Sequence, residues 1–313
     1  MTDASLSWDH GTRSGLCSIG THRLFLSAAG PSRQVINGSL QPAVIIEAGL
    51  GSGQREWVAV QRHIAQKARV YSYDRAGYGR SEDSPRPLTA ENRVQELSSL
   101  LEAAAVEPPY VLVGHSYGGV LVREFLRQHG KERVAGMVIV DSARAVPSFP
   151  TDWHTLMGDS RYHSIIGLDQ NYCVSPEEYN DIMQDDIRNE PTTEVESGFV
   201  HSSTDSVNAA LPEDSQPLAD HRLSVIFANF AADFQKVYDF GVAHGYGTRD
   251  AQHRLGLCLR DLARVQEQGQ RAHLHLSSQS RFVSPGGKAR THNLQYVAPE
   301  VIRDEVFWVL HLH

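Results

Sequence analysis

The chain has 313 residues, 41% of them hydrophobic, enough for one large α/β domain with an insertion or for two domains. Its 37 acidic residues outnumber 29 basic ones, giving a net charge of −8, which argues against a nucleic-acid surface or an anionic membrane as partner. Three cysteines, Cys17, Cys173 and Cys258, are far apart and lack metal-ligand spacing, so disulfides are not expected and a reducing, cytoplasmic compartment fits.

The first residues, Met1-Thr2-Asp3-Ala4-Ser5, are polar and form no apolar signal core. No apolar run anywhere reaches the roughly 18 residues of a membrane span. Two short strands are expected around Cys17–Ile19 and Arg23–Ala28, with a turn at Gly20-Thr21. Residues 31–42 read as a polar loop, and Asn37-Gly38-Ser39 within it as a turn. Val44-Ile45-Ile46 is a continuous apolar strand, ended by Gly49, Gly51 and Gly53. A helix over 56–68 leads to a strand at Val70–Tyr73 and then to Asp74-Arg75-Ala76-Gly77-Tyr78-Gly79. The next helix, over 89–105, carries Val94, Leu97, Leu100 and Leu101 on one face.

Residues 111–119 read Val-Leu-Val-Gly-His-Ser-Tyr-Gly-Gly. A buried strand ends in a turn too sharp for side chains at positions 114 and 118. That turn lifts the Ser116 hydroxyl above the sheet, and the helix that follows aims its N-terminus at the same place. The helix runs to about His129, and a strand follows at Val134–Val140. Strands alternating with helices across short glycine loops predict a parallel sheet covered on both faces, with ligands at the carboxyl ends of its strands.

From about Ala145 to Leu218 only helical patterns occur, so this stretch is expected to be a helical lid inserted into a core of residues 1–144 and 219–313. Ser175-Pro176-Glu177-Glu178 reads as a capping box, and Thr193 with Glu196 as a second one. Alternation resumes with a strand at Leu223–Ala228, a helix over 250–268, a strand at Arg281–Ser284 and a last helix from Pro299.

A serine hydroxyl is a poor nucleophile at neutral pH and needs a base, itself oriented by a third group. His292, a few residues past the last strand, is the best candidate base for Ser116; His115, on the turn itself, reads as a packing residue. Asp141, at a strand end, is the preferred acid, and Asp233, beyond the next strand, is the alternative. The backbone N–H groups of Tyr117 and Leu50 are candidates for an oxyanion hole. Glu47 reads as a buried structural carboxylate bonded to backbone N–H groups. The 16 histidines include no His-Glu-x-x-His motif, so neither metal nor cofactor is expected.

Together these segments resemble the α/β-hydrolase fold superfamily across nearly the whole chain. The residues that carry the likeness are 47–51, 74–81, Gly114-His115-Ser116-Tyr117-Gly118-Gly119, Val140-Asp141-Ser142-Ala143 and His292-Asn293. The resemblance implies Ser116 as nucleophile, His292 as base and a lid between the sixth and seventh strands. Two features depart from the family pattern. Ala48-Gly49 stands where His-Gly is common, and no Asp lies close behind the seventh strand, which favours Asp141 as the acid. Serine at position 116 argues against epoxide hydrolase or haloalkane dehalogenase chemistry. The expected function is cofactor-free hydrolysis of an ester, lactone or thioester of a small to medium apolar molecule, with Trp153 and Tyr179 lining the pocket. Carbon–carbon bond cleavage, condensation or cyclisation at the same site, or a ligand-binding receptor, are the alternatives. The expected state is a monomer or homodimer.

Overall fold

The computed structural model describes residues 7–145 and 149–312. Eight strands form one sheet: β1 (Arg13–Ser18), β2 (Arg23–Ala29), β3 (Ala43–Glu47), β4 (Val70–Tyr73), β5 (Tyr110–His115), β6 (Val134–Val140), β7 (Arg222–Ile226) and β8 (Ser280–Val283). Their order is β1-β2-β4-β3-β5-β6-β7-β8. β2 runs antiparallel to both its neighbours, and every other pair is parallel.

The continuous apolar runs of β3 and β5 follow from burial on both faces, since every residue of the two strands is buried. Successive side chains point to opposite faces. Val44, Val111 and Val138 meet α1 (Val58–Ile64) and the C-terminal helix Pro299–Val309 through Val60, Ile64, Ile302 and Val306. Ile45, Leu112 and Met137 meet α2 (Ala90–Ala103) and α3 (Gly118–His129) through Leu97, Leu101, Leu121 and Phe125. Thr89 caps α2 by accepting a bond from the Asn92 N–H.

Several expectations need correction. The segment expected as one helix from residue 56 opens as a 3-10 turn at Gln54–Trp57 and ends at Ile64. The polar loop contains a small hairpin, Val35–Ile36 with Ser39–Leu40, whose turn residues Asn37 and Gly38 both have positive φ. The second capping box does not exist. After α4 (Tyr162–Ile166), a single 35-residue helix, α5 (Pro176–Ala210), starts at the Ser175–Glu178 box and runs on through Pro191. A proline inside a helix lacks one N–H donor, yet here the helix continues past it; Thr193 Oγ1 bonds the Asn189 carbonyl and Glu196 turns inward to buried arginines. A helix not anticipated, α6 (Ala231–His244), precedes α7 (Arg249–Arg271). A short helix α8 (Leu294–Val297) precedes the C-terminal helix, α9.

The turn between β5 and α3 shows why its glycines are needed. A Cβ on Gly114 would lie 2.6 Å from the Gly118 carbonyl oxygen, and one on Gly118 would lie 2.3 Å from the Glu47 carbonyl oxygen. Both obstacles are backbone and cannot swing aside. Gly118→Ala is therefore expected to destabilise the fold by about 2–4 kcal/mol, as forced overpacking with a backbone shift does. Urea denaturation checks this; a midpoint equal to the parent's would mean that β3 and α3 can separate freely.

Candidate active site

Ser116 stands at the tip of that turn with φ +52°, a left-handed conformation rare for a residue with a side chain. Such strain costs about 1–3 kcal/mol and persists only where the surroundings enforce it. Here β5 and α3 hold it from both ends, and the Ser116 N–H bonds the Val140 carbonyl in β6.

Asp141 follows directly on β6, also at positive φ (+43°), and its side chain is fully buried. One oxygen, Oδ2, is 2.8 Å from His292 Nδ1. The other, Oδ1, accepts from the N–H groups of Ala228 (3.1 Å) and Asn229 (3.0 Å) and from Gln270 Nε2 (2.9 Å). A carboxylate can only accept, so Nδ1 carries the proton and Nε2 is the free, basic nitrogen of the ring. Burial opposes the charge of Asp141, but bonds from His292 and Gln270 hold its pKa below the ordinary carboxylate value. For His292, burial alone would lower the pKa; the bond to Asp141 and its charge prevail and raise it above the imidazole value.

Asp233, the alternative acid, takes no part in orienting the ring. Its Oδ2 accepts from Thr291 Oγ1 and from the His292 backbone N–H, both at 2.8 Å. It therefore fixes the loop that carries the imidazole. His115 has a related positioning task. Its Nε2 lies 2.8 Å from the His292 carbonyl oxygen, and its ring centroid is 4.5 Å from that of His292. Burial, then the neighbouring His292, depress its pKa to about 3, so the ring is neutral and Nε2–H donates.

The loop after β3 is held by a buried guanidinium. Arg75 donates to the carbonyls of Ala48 (2.7 Å) and Gly49 (2.6 Å), to Glu47 Oε1 (2.9 Å) and to Glu196 Oε2 (3.1 Å). Glu47 is buried as expected, but its partners are the side chains of Arg75 and Tyr73, not backbone N–H groups. Asn189 of α5 donates to the Gly51 carbonyl at 2.7 Å. Among the described residues neither the Leu50 nor the Tyr117 N–H has a protein acceptor, and both residues border the cavity that contains Ser116.

Two cavities meet at Ser116, His292 and Leu50. One, of about 330 Å³, is apolar, with Val120, Phe149, Val200, Phe230 and Phe234 in its wall. The other, of about 500 Å³, carries the carboxylates of Glu56, Asp186 and Glu190 and the Gln295 amide in its wall. Trp153 and Tyr179, expected in the pocket, line neither. Trp153 packs on Phe149, Tyr162 and Phe234; Tyr179 stacks on Tyr172 and donates to Asp169. Both are consumed in holding the helical segment together. Three contributors were missed from sequence: Gln270, Arg75 and Glu196. Phe230, Phe234, Val237 and Gly241 repeat at helical spacing, which could have revealed α6 and the aromatic wall it carries. Among the described residues no group of three or more His, Cys, Asp or Glu side chains is arranged to hold a metal ion, and no helix is long and apolar enough to cross a membrane.

An eight-stranded sheet with a strained serine turn at β5 and a histidine beyond the last strand defines an α/β-hydrolase architecture. Residues 42–163 match the family model described as the alpha/beta hydrolase fold. An AB hydrolase superfamily protein of Gibberella zeae is 33% identical over 91% of this chain and 90% of its own length. The chain belongs to the α/β-hydrolase superfamily. The fold is also that of a serine hydrolase involved in carbazole degradation (TM-score 0.61, 15% identity, 97% of this chain and 100% of that one). It is shared by a thermophilic esterase from Thermogutta terrifontis (TM-score 0.58, 17% identity, 96% and 98%).

The Asp141–His292 pair can be tested by titration. The His292 imidazole, followed by NMR, should titrate above the usual value of about 6.5, and Asp141→Asn should lower it by about one unit or more. The stability contributed by His292's raised pKa is full below its unfolded-state pKa and is lost as pH rises through the folded one, whereas that contributed by Asp141's lowered pKa is lost as pH falls through its folded value. An unshifted titration in the variant would break the pairing.

Proposed function

We propose that the protein is a cofactor-free serine hydrolase that cleaves an ester, lactone or thioester of a small to medium molecule. The observation that carries this reading is the Asp141–His292 hydrogen bond beside a strained Ser116, at a cavity bordered by two unengaged backbone donors. Ser116 Oγ attacks the carbonyl carbon while His292 Nε2 takes its proton. The carbonyl oxygen becomes an oxyanion, bonded to the N–H groups of Leu50 and Tyr117, each such donor being worth about 3 kcal/mol. His292 then passes its proton to the departing alkoxide or thiolate. Water attacks the acyl-serine with His292 again as base, which returns Ser116 and releases the acid.

The insertion, residues 145–218, acts in this reading as a lid, with α5 lying against the β3 and β4 loops through Asn189 and Glu196. The aromatic wall of the smaller cavity suits an apolar part of the substrate. The esterase from Thermogutta terrifontis and the serine hydrolase of carbazole degradation, as proteins of this fold, agree with hydrolysis.

Ser116→Ala should lower kcat for a chromogenic short-chain ester by about 10⁴–10⁶ while the melting temperature is kept. A variant retaining a tenth of the activity would remove Ser116 from the role of nucleophile. In the parent, kcat/KM should rise with pH through the elevated pKa of His292, because only the neutral ring accepts a proton. A rate that falls across that range would contradict His292 as base.

A further inference from the structure

We propose that the larger cavity holds a subsite for a cationic, alkylammonium-bearing arm of the substrate, built by Glu56 and Asp186 with Gln295 as a neutral acceptor. This rests on the hydrolase reading for its location beside Ser116.

Four observations meet here. First, Glu56 is a buried carboxylate inside a cavity of about 500 Å³ that also contains Ser116 and His292. Second, no arginine, lysine or histidine forms an ion pair with Glu56 or Asp186 among the described residues, although the neighbouring Asp185 on the same helix takes both Arg55 and Arg188. Every other deeply buried carboxylate around the site is compensated: Asp141 by His292, Glu47 and Glu196 by arginines, Asp74 by Arg80. Third, Ser52, Gln295 and Tyr296 surround Glu56 as neutral hydrogen-bond donors, while Gln295 Oε1, on a side chain more than nine-tenths buried at the same cavity, is left without a hydrogen-bond partner. Fourth, the adjoining cavity, which shares Leu50, Ser116 and His292 with this one, is walled mainly by apolar side chains, so the carboxylates distinguish the two.

A buried carboxylate held by neutral donors but without a cation is costly, and the hydrogen bonds from Ser52, Tyr296 and Gln295 offset the cost only in part. Burial, then the charge of Asp186, push the Glu56 pKa up to about 7. A ligand cation would supply the missing counter-charge, and its N–H groups match the carboxylate oxygens and the unused acceptor Gln295 Oε1. An anionic arm would meet Glu56, Asp186 and Glu190 together and be repelled. A neutral apolar arm would leave the same acceptors unpaired, whereas the cavity of Phe149, Phe230 and Phe234 would receive it without loss. Asp186 stands exposed at the mouth, placed to meet the cation first, and Glu56 lies deeper, near enough to His292 for its charge to raise the imidazole pKa.

The test compares two aryl esters, an ω-aminohexanoate and a heptanoate, which differ by an ammonium in place of a methyl group. The subsite should favour the amino ester in kcat/KM by about tenfold or more, equivalent to about 1.4 kcal/mol. In Asp186→Asn and Glu56→Gln this ratio should fall severalfold toward one. Asp205→Asn, an exposed carboxylate farther along the same helix, should leave the ratio where it was and so exclude a general effect of net charge. If heptanoate is hydrolysed but the amino ester is not preferred, or if Asp186→Asn keeps the preference, the subsite proposal is overturned while the hydrolase reading stands. If neither ester is turned over, the hydrolase reading fails. Calorimetric titration with n-butylammonium then decides: binding weakened severalfold by Asp186→Asn supports the subsite, and absent or unaffected binding overturns it.

Discussion

A single buried guanidinium, that of Arg75, joins the parts on which the rest depends. It leaves the β4 loop, bonds Glu47 at the end of β3, holds the Ala48 and Gly49 carbonyls, and reaches Glu196 on α5. Glu196 in turn accepts from Arg93 Nε at 2.7 Å and from Tyr78. All four charged groups are almost completely buried. Removing one partner of such a network leaves an uncompensated charge, at a cost of about 3–5 kcal/mol. The network also has a geometric consequence. With two carbonyls tied to Arg75, the loop that carries Leu50 is fixed at the cavity it shares with Ser116, and α5 is joined to the loops after β3 and β4 through Asn189 and Glu196.

Strain collects at the same edge. Ser116, Asp141 and Asn229 all adopt positive φ where β5, β6 and β7 end. A parallel sheet buried on both faces is rigid enough to hold these conformations, at about 1–3 kcal/mol each. The return is orientation: Ser116 is raised above the sheet, and Asp141 is turned so that one oxygen meets His292 while the other is saturated by two backbone donors and Gln270. In the proposed mechanism that saturation keeps the carboxylate ionised, so the imidazolium formed during proton transfer has a fixed counter-charge.

Much of the fold was legible because burial on both faces writes itself as unbroken apolar runs. Val134–Val140 reads directly as β6, and the serine turn reads from the Gly114 and Gly118 spacing that backbone contacts impose. Asp141 could be placed near His292 because both follow strands at one edge. Residues whose significance lies in distant partners were not legible. Glu196 sits three residues after a threonine, which mimics a capping box; only its pairing with Arg75 and Arg93, over 100 positions earlier in the chain, shows its task. Gln270 lies on the last turn of an amphipathic helix and looks like a surface amide, yet it is buried against Asp141. Trp153 and Tyr179 suggested a pocket by type alone. Aromatic type does not distinguish a residue that lines a cavity from one that packs the segment above it, and here the cavity wall comes from Phe230 and Phe234.

In the proposed mechanism Ser116, His292 and Asp141 act together beneath an oxyanion hole of Leu50 and Tyr117. The most direct measurement is a crystal structure of the protein after reaction with a fluorophosphonate. The proposed triad requires phosphorus bonded to Ser116 Oγ, one phosphonyl oxygen within about 3.1 Å of both the Leu50 and Tyr117 nitrogens, and the Asp141–His292 bond retained. Phosphorus on another side chain, or a phosphonyl oxygen turned away from those two N–H groups, would contradict it.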